Sequence, residues 1–218
     1  MKTNDSLHYF SSKEKEGQDV FSKKRTTFLK PISASLTKIG VSPDQISYFG
    51  IFLLILFGIF FKSAPILAFV LLFFYVVMDG IDGSLARFQN TQNKGGSLTD
   101  IICDQLGLVV IAGLLIYYNM ASPLLGYIYV TIYLTMIVLS VYQNALNIKL
   151  GLLIRSKYYI YILSGLFEIN SKYNIVSISS TDYYNYYNYF FILFSVIMTI
   201  TSLKSYVEIK RHFNKVKE

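Results

Sequence analysis

Residues 79–104 read DGIDGSLARFQNTQNKGGSLTDIICD, and apolar runs lie directly before and after them. Asp79 and Asp82 are three residues apart, and Asp100 and Asp104 are four apart. On helices, each spacing puts its two carboxylates on one face. Ala86 continues the face of the first pair with Gly83 beside it, and Gly96 stands one turn before Asp100 on the stripe of the second. The segment between, residues 88–95 (FQNTQNKG), is polar and runs into Lys-Gly-Gly, so it reads as a loop. A helix, a turn and an antiparallel helix then gather four acids into one cluster. Ionisable side chains at the ends of membrane helices are costly, which makes such a cluster a functional site by default.

Four crowded carboxylates raise one another's pKa, and burial adds to that. A divalent cation resolves the conflict, and an all-oxygen donor set suits Mg²⁺, Mn²⁺ or Ca²⁺ rather than zinc or copper. The single Cys103 and the two histidines, His8 and His212, are too few and too scattered for a softer metal.

Composition makes the bilayer the expected solvent. Of 218 residues, 53% are hydrophobic and only 15% charged, against about 25% charged in soluble domains. One cysteine excludes an internal disulfide framework. No signal peptide is visible in the polar residues 1–27, and no repeat or linker divides the chain. The net charge of +7 sits beside apolar segments, so lipid head groups explain it better than nucleic acid does.

Taken in order, residues 1–24 read as a flexible cytosolic N-terminus. Phe28, Leu29, Ile32, Leu36 and Ile39 recur at helical spacing, which predicts an interfacial amphipathic helix over 25–41, closed by Gly40. The alternative is a cytosolic helix packed on other protein. Ser42-Pro43-Asp44-Gln45 is a helix start with a capping box. Membrane helices are expected at roughly Gln45–Phe61, Ala64–Met78, Ser97–Tyr118, Leu124–Tyr142 and Tyr183–Leu203, with an interfacial Tyr/Asn cluster at 183–189. A further helix around Tyr158–Phe167 is short of the ~20 residues that span a bilayer.

Charge decides the parity. With six crossings, eighteen of the 20 Lys/Arg residues fall on one side and only Lys62 and Lys172 on the other. The positive-inside rule therefore favours six, with both termini and the acidic cluster cytosolic. The expected architecture is all-α and polytopic: a six-helix membrane domain over 42–204, preceded by the juxtamembrane helix and followed by a basic cytosolic tail, 205–218.

The pattern Asp79-x2-Asp82-Gly83-x2-Ala86-Arg87-x8-Gly96-x3-Asp100-x3-Asp104 resembles the full signature of the CDP-alcohol phosphatidyltransferases, eight positions in register. Ser42-Pro43-Asp44-Gln45-Ile46-Ser47 looks like the family's Pro-Asn-x-Ile-Thr segment, with Asp for Asn and Ser for Thr. Gln105 stands where many members carry Arg or Lys. The resemblance covers residues 25–160, and the remainder by helix count.

It implies transfer of a phosphatidyl group from a CDP-linked donor, usually CDP-diacylglycerol, to a small polar alcohol or its phosphate, with release of CMP. Asp79, Asp82 and Asp100 would hold one or two Mg²⁺ or Mn²⁺ ions, with Asp104 the general base and possible sharer of a second ion. Arg87 would pair with donor phosphate. Gly83, Ala86 and Gly96 would let the nucleotide approach. Arg155 and Lys157 would meet a phosphorylated acceptor. The resemblance also implies membrane-lipid partners, a homodimer and, in a prokaryote, the plasma membrane. The alternatives are transfer from a CDP-amino alcohol to diacylglycerol, an intramembrane prenyltransferase, or a non-enzymatic divalent-cation-binding membrane protein, such as a transporter or channel.

Overall fold

The computed structural model describes residues 24–148 and 156–216. The helices are α1 (Lys30–Lys38), α2 (Pro43–Phe60), α3 (Pro65–Gln89), α4 (Lys94–Tyr117), α5 (Pro123–Ala145), α6 (Lys157–Tyr173) and α7 (Ser180–Val216). A helical stretch at 24–28 precedes α1, and no strand occurs among the described residues.

Proline and asparagine punctuate this order. All four prolines occupy the first turn of a helix: Pro31 in α1, Pro43 in α2, Pro65 in α3 and Pro123 in α5. There the missing N–H removes no helical bond and φ is already set. The expected capping box at Ser42 forms, with the Ser42 N–H donating to Gln45 Oε1 (2.9 Å) and the Gln45 N–H to Ser42 Oγ (3.3 Å). At the other ends, Gly40, Asn90, Asn119 and Asn147 take positive φ after α1, α3, α4 and α5. In each case that residue's N–H returns to the carbonyl three back, and the next N–H to the carbonyl five back, as Asn90 to Arg87 and Thr91 to Ala86. Asparagine is the side chain other than glycine that best tolerates this left-handed stop.

The polar segment 88–95 is not the loop that its composition suggests. α3 continues through the first aspartate pair to Gln89, and α4 begins at Lys94. Asn93 opens α4: its Oδ1 accepts from the Gly96 N–H (2.7 Å) and its carbonyl from Ser97 Oγ (3.0 Å). The connection shrinks to four residues, 90–93.

Among the described residues, five helices are long and apolar enough to cross a bilayer: Pro43–Phe60, Pro65–Gln89, Gly95–Tyr117, Pro123–Ala145 and Ser180–Lys215. α6, at 17 residues, is shorter than the ~20 that a span requires. The last helix does not stop near Leu203 but carries its basic residues onward to Val216 as continuous helix.

The chain divides into two compact units. The first comprises the described residues within 24–111 and 160–175. In it α2 packs along α3, and α1 packs against α3. Ile46, Ile81 and Leu85 form a core, joined by Leu29, Leu36, Val41, Val77 and Met78. The apolar stripe of α1 is thus split. Leu29 and Leu36 enter the protein, whereas Phe28, Ile32 and Ile39 are exposed. Gln89 Nε2 fixes the end of α1 by donating to the Val41 carbonyl (2.9 Å). Lys62 and Glu168 form an ion pair of 2.6 Å.

The second unit comprises the described residues within 112–159 and 176–216. Here α5 packs on α7 through rings: Tyr129 stacks on Phe191 at 4.9 Å and lies 5.7 Å from Phe190. The Tyr129 hydroxyl, buried among them, is 2.9 Å from Ser156 Oγ.

Candidate active site

All four signature aspartates line one small cavity of the first unit. Its wall is Ser47 and Gly50 from α2, Tyr75, Met78, Asp79 and Asp82 from α3, and Asp100, Cys103 and Asp104 from α4. The helical spacings expected from the sequence are therefore realised on α3 and α4, and the two faces meet. The cavity holds about 10 Å³, room for one water-sized body. Asp82 and Asp104 are buried (4% and 8% exposed), while Asp79 and Asp100 are half-buried.

Several contacts fix the carboxylates. Ser47 Oγ donates to Asp82 Oδ2 at 2.6 Å, and the Gly83 N–H lies 2.5 Å from Asp82 Oδ1. Gln105 Nε2 donates to Asp104 Oδ2 at 3.2 Å. Gln105 thus gives Asp104 a neutral donor in place of a cation. The Tyr75 hydroxyl donates to the carbonyls of Cys103 (2.8 Å) and Asp104 (3.3 Å), tying α3 to α4 at the level of the acids. This approach needs Gly107. A Cβ there would come within 2.7 Å of Tyr75 Oη and 2.3 Å of Tyr161 Oη, closer than side chains can pack.

A divalent ion suits this donor set, since every lining carboxylate and hydroxyl offers oxygen. Among the described residues, however, no group of three or more His, Cys, Asp or Glu side chains is arranged as a finished metal centre. Carboxylates of like charge draw into one coordination shell only around a cation.

The other residues singled out by sequence fall into place unequally. Arg87, on the last turn of α3, donates from Nε to Thr26 Oγ1 (2.8 Å) and from a terminal nitrogen to Ser84 Oγ (3.3 Å). A Cβ on Gly83 would meet Arg87 Nη1 at 3.6 Å, so the glycine leaves open the space before that guanidinium. Gly96 faces Asp44, whose Oδ1 would lie 3.8 Å from a Cβ there. Ala86 is half-buried on the same turn as Arg87 and gives its carbonyl to the α3 stop. Lys157 belongs to the second unit, fully buried with Nζ 4.8 Å from the Tyr158 ring centre. Arg155 lies outside the described residues.

The sequence reading did not assign site roles to Ser47, Tyr75 or Gly107. Ser47 had a signal, since it closes the Pro43–Ser47 segment quoted above. The others act across helices and have no local mark.

The family model for CDP-alcohol phosphatidyltransferase matches residues 40–201. An uncharacterized protein of Aquifex aeolicus (strain VF5) is 38% identical over 78 residues, which are 35% of this chain and span 40% of that relative's own length. The fold is similar to that of the phosphatidylinositol phosphate synthase of Mycobacterium tuberculosis, solved with CDP-DAG bound. The TM-score is 0.62 at 18% identity, covering 82% of this chain and 92% of that one.

Proposed function

The chain belongs to the CDP-alcohol phosphatidyltransferase family, and from that premise we propose that it moves a phosphatidyl group from a CDP-linked donor to a small polar alcohol or its phosphate. The observation that carries this reading is the meeting of Asp79, Asp82, Asp100 and Asp104 at one cavity. The family is generally divalent-metal dependent, and the similar synthase was solved with CDP-DAG. CDP-diacylglycerol is therefore the donor we assign.

Asp79, Asp82 and Asp100 would hold one or two Mg²⁺ or Mn²⁺ ions, which would supply positive charge against the diphosphate. Arg87 pairs with the same phosphates, and Gly83 gives them access. Asp104 takes the hydroxyl proton as the alcohol oxygen bonds to the lipid-bearing phosphorus and the P–O bond to CMP breaks. Asp104 is buried at the cavity beside the other carboxylates, with the Gln105 amide as its donor. Most of the catalysis is positioning and charge compensation.

α6 completes six crossings in this proposal, because only an even number leaves the basic residues on one side. The site then opens to the cytosolic face; Lys157, fully buried in the second unit, does not serve as the acceptor's phosphate contact in this reading. The test is incubation of the purified chain with CDP-diacylglycerol, Mg²⁺ and a panel of alcohols and alcohol phosphates, with CMP and the lipid product measured by mass. The reading requires one acceptor to release CMP in step with a new phospholipid. Absence of both products across the panel would reject it.

A further inference from the structure

A second guanidinium shares the space in front of Gly83. Arg25, in the helical stretch before α1, reaches across α3 from outside the segment that the family model matches. A Cβ on Gly83 would lie 3.4 Å from Arg25 Nη2 and 3.6 Å from Arg87 Nη1, and a Cβ on Gly80 would lie 3.5 Å from Arg25 Nη1. Both guanidinium groups therefore flank one spot on the bare glycine face of α3, one turn from Asp79 and beside Asp82. Thr26, the next residue, accepts from Arg87 Nε at 2.8 Å and ties the two arginines into one assembly.

Two planar cations over a surface without Cβ atoms form a cradle for a tetrahedral anion, because guanidinium forks match phosphate oxygens in pairs. Asp82, the residue next to Gly83, lines the acidic cavity, so the cradle borders the acids. We infer that Arg25 and Arg87 together clasp a phosphoryl group of the donor diphosphate, with Arg25 supplied by the segment that precedes the membrane domain. This assignment rests on the transferase reading above and adds to it a binding residue on the N-terminal segment. Seating of α1 by Leu29 and Leu36 on the core of α2 and α3 would then place that residue, coupling donor binding to the docking of the segment.

The test is competition binding of CDP and cytidine to the full chain in detergent with Mg²⁺, for the parent, Arg25→Gln and Arg25→Lys. The ratio of their dissociation constants isolates the phosphate contact and does not depend on the folded fraction. Loss of a charge-assisted contact predicts a fall in the CDP-over-cytidine preference of roughly tenfold or more in Arg25→Gln. A smaller fall is expected in Arg25→Lys, which keeps the charge but not the fork. An unchanged ratio in both variants overturns the role of Arg25 and leaves the transferase reading intact, as does a change confined to a phosphorylated acceptor. Failure of the parent chain to bind CDP at all rejects the transferase reading and the assignment with it.

Discussion

The two units solve the problem of packing helices in opposite ways. In the second, α5 and α7 meet through Tyr129, Phe190 and Phe191, and the buried Tyr129 hydroxyl has Ser156 as partner. Aromatic rings give contact area and directional packing at little polar cost. In the first, α3 and α4 present four acids to one another, and a glycine and a tyrosine hold the helices in register. Crowded carboxylates oppose that contact. A bilayer protein has no stability reason to build such an interface, which supports the proposal that the acids bind a ligand. The difference teaches that the first unit sacrifices packing quality at the site that binds, and that substitutions in the two units should fail in different ways.

The largest effect should come from Asp104→Asn, which keeps the shape and removes the proposed base. CMP release should drop about a thousandfold while extraction and thermal unfolding match the parent; turnover within tenfold of the parent would reject the base assignment. Next comes Gly107→Ala. The added methyl must displace Tyr75 or Tyr161 and shift Asp104, and misplacement of about 1 Å costs on the order of a hundredfold. Gly113→Ala, on the same helix with nothing within 4 Å of its Cβ, should behave as the parent in the same assay. Equal activities for the two would show that the close approach at Gly107 does not position the base.

Smaller again is Ser47→Ala. Loss of the 2.6 Å bond to Asp82 should lower kcat/KM by about tenfold, the scale of one hydrogen bond to a charged group. The smallest is Tyr129→Phe in the second unit. It should leave kinetics unchanged and lower unfolding free energy by about 1 kcal/mol. An altered KM there would break the contrast between the units.

The membrane helices and the acidic pairs were legible because their signals are local. Pro31, Pro43, Pro65 and Pro123 mark starts, and three- and four-residue spacings declare shared faces. The limits of the central hairpin were not. Asn90 and Asn93 are stop and start signals, but they stand in a polar run with Gly95 and Gly96, and composition alone turns that run into a loop. The contacts that hold the acids were hidden for a different reason. Ser47 reaches Asp82 across 35 residues and Tyr75 reaches the Cys103 carbonyl across 28, and no periodicity records a partner on another helix. The apolar stripe around α1 could not say that Leu29 and Leu36 turn inward while Phe28 and Ile39 stay out.

The central claim is that the aspartates of α3 and α4 grip a divalent ion, and Mn²⁺ titration followed by electron paramagnetic resonance addresses it without relying on turnover. With CDP present, the full chain should take up one or two Mn²⁺ ions saturably, and Asp79→Asn and Asp100→Asn should each weaken that uptake by at least about tenfold, as loss of a direct charged ligand requires. Equal Mn²⁺ binding by the parent and both variants, or none by the parent, would contradict the account.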